Sequence, residues 1–419
     1  MSSGLRRLVE AASPVIRAHS VGGDLSSSRR GWPVAVAATA LEHDLTVVVV
    51  ARHSDVDDMV LALRAWLELD DRDVTSFPAW DTLPLERVSP DADVMARRLA
   101  LRAQLRSGTY PRVIVTSSRA MTQSVATWRD DAIRVVERGS NDDRDGLLQW
   151  LVDAGYRREP RVEHRGEFSA RGGIVDLWSP ESELPVRIDF FGDEVERVGY
   201  FDVAEQRMTQ HLASFCVVAA REWRPQPSDA LTARTRALAA DMDHARVALD
   251  QVAAGQLHDG MEGWWAWCDD GRHRFLDELP AHAALVVVDE SSVRSRAAEL
   301  LEEETELIGS IATTWGYTGD VPLSHLSWDD AVDSSRLTLR IDASAHGAWD
   351  VSDPPVFQGD PTRFAERLRS GGGVQKVVIA ATNEGAAERM ATLLEGEGVR
   401  VARGADAVGS AAGGVGKED

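Results

Sequence analysis

Lysine is almost absent. Among 46 basic residues only Lys376 and Lys417 are lysines. A phosphate-gripping loop needs G-x-x-x-x-G-K-[ST], with the lysine on the β- and γ-phosphates and the hydroxyl on Mg²⁺. Lys376 lies in GGGVQKVV, between Gln375 and Val377, and Lys417 lies in GGVGKED, where Glu418 replaces the hydroxyl. Neither fits, so this chain is expected not to hydrolyse ATP. Cysteine is nearly as scarce. Cys216 and Cys268 lack CxxC spacing and are expected to be buried free thiols, with no disulfide framework or metal site. No run approaches the roughly 18 apolar residues of a membrane span. MSSGLRRLVEAASP lacks the apolar core of a signal peptide. A cytoplasmic protein without a membrane partner is expected. Positive charge is in deficit too: the net charge is -22 and the pI ≈ 4.9. That opposes unassisted binding to nucleic acid, although a local basic patch stays open. Internal repeats, HExxH and GxSxG are all missing.

The 419 residues allow roughly two to four domains. LTVVVV (Leu45 to Val50) reads as a buried strand. A helix follows, with Asp55 near its start and Val56, Val60, Leu63 and Leu67 on its apolar side. VTSFPAW is a second strand, and Met95, Leu99, Leu101 and Leu105 recur at helical spacing before the strand RVIVTS. Alternating strands and helices predict a parallel sheet. From about Asp142 the pattern changes: a short helix ends at Gly155, and close-set strands follow, as in a small α+β insert. Phe191-Gly192-Asp193-Glu194 joins two alternating runs as a hairpin. Helices return near Ala219. ALVVVDESS, with the helix after it, restores the α/β pattern. The stretch from Gly309 to Pro355 reads as mixed, with a linker in ASAHGAWDVSDPPV. One further strand-helix-strand unit precedes a Gly/Ala tail.

Several residue groups could carry function. In PVRIDFFG the alternation sends Val186, Ile188 and Phe190 to one face and Arg187, Asp189 and Phe191 to the other. An arginine and an aromatic on one exposed face have the composition of an interface. Arg171, in the SARGG turn, could join them. Alternation alone favours solvated arginines and an aromatic that closes a hairpin. Ser89 and Asp91 could cap the helix after FPAWDTLPLERVSP, which reads as a strand-loop-helix connection. Asp189, Asp193, Glu194 and Glu196 have no histidine nearby and read as a solvated acidic turn. Asp289 and Glu290 end an apolar strand, as Walker B carboxylates do.

FPAWDTLPLERVSP, RGEFSARGGIVDLWSP and PVRIDFFGDEVERVGYFDVAEQRM together resemble hallmark motifs of the UvrB-homology module of bacterial transcription-repair coupling factors, the Mfd family. The resemblance covers residues 1–345 well and 346–419 more weakly. It implies an α/β fold: a degenerate P-loop-type, UvrB/helicase-like parallel-sheet domain, interrupted by a small α+β UvrA-interaction domain and followed by a partial α/β domain. The implied divisions are 1–125 (domain 1a), 126–215 (domain 2), 216–345 (domain 1b, completing the first α/β domain) and 346–419 (linker, partial domain 3 and tail). On this resemblance Gly22, Gly23 and Ser28 stand in the degenerate P-loop region, and Asp289 and Glu290 are a vestigial Walker B. The segment between Trp80 and Glu86 is too short for UvrB's DNA-probing hairpin. No catalytic residue, metal or cofactor is implied for this chain. Arg171, Arg187 and Phe191 correspond to the family's UvrA-contacting residues. The implied role is a non-catalytic adaptor that recruits UvrA to stalled transcription complexes in nucleotide excision repair. ATP and Mg²⁺, RNA polymerase and double-stranded DNA would belong to translocase and C-terminal domains not seen here, so an N-terminal portion ending inside domain 3 is expected. A UvrB-like ATPase or helicase subunit and a DNA-binding repair module are the alternatives.

Overall fold

A computed structural model describes residues 4–20, 23–27, 29–82, 86, 88–269, 273–343, 360–370 and 384–401. Gly22, Ser28, Lys376, Lys417, the expected linker after Ala343 and the Gly/Ala tail lie outside the described residues. So does the apolar run Val377 to Ile379.

The larger sheet has six strands in the order β1-β14-β13-β2-β4-β3: β1 (Asp24–Ser26), β2 (Thr46–Val50), β3 (Val74–Phe77), β4 (Val113–Ser117), β13 (Ala284–Val288) and β14 (Leu337–Asp342). All its pairings are parallel. The apolar runs expected as buried strands, β2, β4 and β13, are buried at every position. Parallel strands covered on both faces need such continuous apolar runs. Alternation then assigns the faces. Val48, Val50, Val286 and Val288 pack under the helices Gly4–His19, Trp32–Glu42 and His53–Leu67. Val47, Val49, Leu285 and Val287 meet Phe77, Leu101, Leu105 and Phe275 on the other side.

Two strands differ from the expectation. β14 lies in the stretch expected to be mixed, and β1 lies in the degenerate P-loop region, where no strand is expected. β1 has three residues, and the buried positions of β14 are spaced by half-buried ones, so neither carries an apolar run. The helix after β13, Glu290–Thr314, also runs past Gly309.

Between β4 and β13 the chain builds the insert. Its sheet has the order β11-β10-β9-β8-β7-β6: β6 (Arg157–Arg158), β7 (Glu167–Arg171), β8 (Ile174–Leu177), β9 (Val186–Phe191), β10 (Glu194–Asp202) and β11 (Arg207–Leu212). The pairings from β7 to β11 are antiparallel. Val175, Leu177, Val186, Ile188, Phe190 and Val198 bury one face against Leu147 and Leu151 of the helix Arg144–Asp153. A separate antiparallel pair, β5 (Ile133–Glu137) and β12 (Ser214–Val218), brings the two ends of the insert together. β12 crosses the division expected at 215–216, and its pairing keeps it with the insert. Cys216 of β12 is exposed rather than buried, because alternation turns it away from Phe215 and Val217, which enter the core; Cys268 is buried, and both thiols are free.

The insert is locked to the larger domain through buried charge. Glu222, just beyond β12, accepts from Arg98 Nε (2.7 Å) and Nη2 (3.0 Å), from Arg102 Nη1 (2.8 Å) and from Trp80 Nε1 (2.7 Å). Arg102 also binds Glu278 through Nε (2.8 Å) and Nη2 (2.6 Å). Arg98 Nη1 donates to the Pro78 carbonyl (2.8 Å). The FPAW motif is therefore part of this lock. Asp91 caps the helix Ala92–Ser107 as expected, accepting from the amides of Asp93 and Val94. Ser89 does not: its Oγ donates to Glu262 (2.8 Å) and accepts from Arg221 (2.7 Å) and the Gly260 amide (2.9 Å).

Beyond residue 360 the helices Pro361–Arg369 and Glu384–Gly396 are described, with Thr362 Oγ1 donating to Glu397 (3.1 Å).

Candidate functional site

The outer face of the insert sheet gathers the three expected docking residues. β9 places Arg187, Asp189 and Phe191 on that face, opposite the core residues Val186, Ile188 and Phe190. Phe191 is 78% exposed. Arg171 ends β7 beside the Gly172-Gly173 turn, also exposed, with Nη2 donating to the Pro160 carbonyl (2.7 Å). Gly172 has φ +58, which favours glycine, and a Cβ on Gly173 would sit 2.5 Å from the Phe190 carbonyl oxygen. The RGG turn thus lets β8 lie tightly against β9.

Arg187 is not a free cation. Nε donates to Asp176 Oδ1 (2.6 Å), Nη2 to Asp176 Oδ2 (2.9 Å) and Nη1 to the Gln206 carbonyl (2.8 Å). The guanidinium lies 4.9 Å from the Phe201 ring centroid. Its hydrogen bonds to Asp176 raise its pKa, against the burial that would lower it. Asp176 faces Arg187 in register, and Gly199 faces it from the other side. Asp189 departs from the expected solvated turn. It is buried, with Oδ2 on Arg197 Nη2 (2.9 Å), whereas Asp193, Glu194 and Glu196 are exposed.

The second location lies where β2 and β13 end. The helix after β2 covers one face of the sheet and the helix after β13 starts on the other, and ligands of open parallel sheets favour such a switch point. A cleft of about 450 Å³ opens there, lined by Arg29, Trp32, Arg52, Asp55, Asp289 and Arg296 among others. The two carboxylates of the expected vestigial Walker B are engaged. Asp289, at φ 58, caps the following helix by accepting from the Ser292 amide, and its Oδ2 lies 3.9 Å from Arg29. Glu290 accepts from Arg294 Nε (2.8 Å), and its amide donates to Asp342 (3.0 Å). Gly23 (φ +87) precedes β1, with its carbonyl accepting from the Arg340 amide (2.7 Å), so it acts in the sheet edge.

The insert sheet coincides with a known family. Residues 135–223 match the UvrB interaction domain. The transcription-repair-coupling factor of Mycobacterium bovis is 32% identical over 346 residues, which is 76% of this chain and 27% of that protein. The Myxococcus xanthus factor is 33% identical over 64% of this chain and 23% of its own length. The factor of Escherichia coli strain K12 is 32% identical over 55% of this chain and 20% of its own.

This chain carries the N-terminal UvrB-homology module of the transcription-repair-coupling factor family.

The chain spans about a quarter of the length of these coupling factors. The coupling-factor match extends well beyond the insert, whereas the UvrB interaction domain coincides with it and ends one residue past Glu222. The buried lock of Arg98, Arg102 and Glu222 was not foreseen. Arginines within a helix read as a solvated face, and no local pattern pairs them with a glutamate more than a hundred residues away. The absence of a helix long and apolar enough to cross a membrane holds for the described residues.

Proposed function

We propose that this module is an adaptor without catalysis of its own, and that the outer face of its insert docks UvrA, bringing it to stalled transcription complexes in nucleotide excision repair. The observation that carries this reading is Phe191. A large aromatic 78% exposed on an ordered sheet, with Arg171 on the same face, has the make-up of an interface anchor. The match of this sheet to the UvrB interaction domain supports it. Arginine suits the role because its planar fork pairs with partner carboxylates. ATP-driven translocation on DNA and contact with RNA polymerase would fall to other parts of the longer coupling factors. The engaged carboxylates at Asp289 and Glu290 favour this reading over a UvrB-like ATPase subunit. Cytoplasmic residence follows from the same role.

The test is titration of UvrA with the full chain, wild type beside Phe191→Ala and the Arg171/Arg187/Phe191 triple alanine variant. Loss of a buried anchor costs about 2 kcal/mol, roughly thirtyfold in Kd. An unchanged affinity for both variants removes the assignment. Calorimetric titration with ATP and a DNA gel shift at several salt concentrations test the two alternatives, and no binding is expected in either.

A further inference from the structure

One row of residues crosses the outer face beside the two glycine turns. Arg171 of β7 faces Ile174 of β8, Ile174 faces Asp189 of β9, and Asp189 faces Arg197 of β10. Phe191 follows two residues after Asp189 on the same strand, so it is the diagonal neighbour of both Ile174 and Arg197. Ile174 is 38% exposed, so two apolar side chains stand together on this face. Exposed cations close the row at both ends. Three strand spacings separate their backbones by about 14 Å.

The cations of this row differ from Arg187 in the row behind. The Arg197 side chain is 55% exposed, and its ion pair with Asp189 uses one carboxylate oxygen. Asp189 thus orients the guanidinium and leaves most of its fork free. Arg187 has three of its five N–H donors engaged, and its side chain is only 16% exposed.

We infer that Arg197 and Ile174 complete the docking strip with Arg171 and Phe191, that the strip takes a partner surface offering an apolar contact flanked by carboxylates, and that Arg187 acts as a positioning residue. This rests on the proposed UvrA-docking role. The charge of the rest of the chain supports it. At a net charge of -22 the protein as a whole repels an acidic partner, so paired guanidiniums around an apolar centre favour its approach there. Arg187 contributes by holding β8, through Asp176, and the β10–β11 turn, through Gln206, in register under the strip.

The experiment measures UvrA affinity of the full chain at three salt concentrations for Arg197→Glu, Arg197→Lys, Ile174→Asp, Ile174→Thr, Phe191→Ala and Arg187→Ala. Arg246→Glu, on a remote exposed helix, is the control. Ile174→Asp is expected to weaken binding about tenfold or more with a melting temperature like wild type, and Arg197→Glu to weaken it as much with a lower melting temperature, because it leaves the buried Asp189 without its cation. Arg197→Lys keeps the charge but loses the fork, so it should weaken binding less than Arg197→Glu does. Ile174→Thr keeps the strand propensity and should still weaken binding if Ile174→Asp unfolds. Arg197→Glu should flatten the salt dependence of affinity, whereas Arg187→Ala should lower melting and affinity without changing that slope. If Phe191→Ala abolishes binding while both Arg197→Glu and Ile174→Asp bind like wild type, the strip is wrong and the docking role stands. If Phe191→Ala also binds like wild type, both fall. An Arg187→Ala protein with unchanged melting and a flattened salt slope would make Arg187 a contact and overturn its positioning role.

Discussion

Replacing Glu222 by glutamine tests the lock between the two domains. The substitution keeps shape and removes one negative charge from a site where Glu222, Arg98 and Arg102 are all within 6% of full burial. Arg102 would keep Glu278, whereas Arg98 would lose the carboxylate it pairs with. Burial by itself would raise the Glu222 pKa, but Arg98 and Arg102 outweigh it and hold the carboxylate below its ordinary value. The wild-type group is therefore charged at neutral pH. Breaking a buried ion pair by removing one partner costs about 3–5 kcal/mol, because the remaining charge has no compensation. At about 2.1 cal/mol/K of unfolding entropy per residue, that corresponds to a fall of roughly 3–6 °C in melting temperature for 419 residues. Thermal scans followed by tryptophan fluorescence suit the question, since Trp80 and Trp223 border the site. The sign with pH follows from the depressed pKa. The contribution of Glu222 is present above about pH 4.5 and is lost as pH falls through its lower folded value. The variant should lose least relative to wild type in acid. A melting temperature within about 2 °C of wild type at pH 7 would refute the argument, since it would mean that desolvation of the charges cancels their attraction.

Other perturbations have equally definite outcomes. Enclosure pushes the Glu181 carboxyl up from an ordinary 4.5 to about 7, although Ser179 Oγ donates to it. The folded state then holds the proton more tightly, so this group makes stability fall as pH rises from about 4.5 to 7, and Glu181→Gln should flatten that part of a melting-temperature profile. A Cβ on Gly199 would sit 2.3 Å from the Gln210 carbonyl oxygen and 2.7 Å from Met208 Sδ, so Gly199→Ala should destabilise the insert by about 1–3 kcal/mol in a urea titration. Arg187→Ala leaves the buried Asp176 without its cation and should cost about 2 kcal/mol by the same assay.

What the sequence made legible follows from how locally each feature is encoded. β2, β4 and β13 are continuous apolar runs, and β9 alternates cleanly, so strands and the core face of the insert could be read from a few neighbouring residues. β1 and β14 could not, because a three-residue strand and a strand with interrupted burial carry no comparable signal. At the candidate site the period put Arg187 on the right face but said nothing of Asp176. Only the register of β8 against β9 places that carboxylate under the guanidinium. Arg197 and Ile174 went unnoticed for the same reason: their relation to Phe191 runs across strands.

The pairing of β5 with β12 has a practical consequence. Ile133 lies in register with Val218, so the chain enters and leaves the insert at neighbouring points. Cutting on either side of that pair severs two adjacent connections and frees the insert from Glu222, which anchors its exit to Arg98 and Arg102 of the larger domain. The insert is thus built like a cassette with its ends side by side. It should be graftable into a surface loop of an unrelated host, carrying its outer face without a long linker.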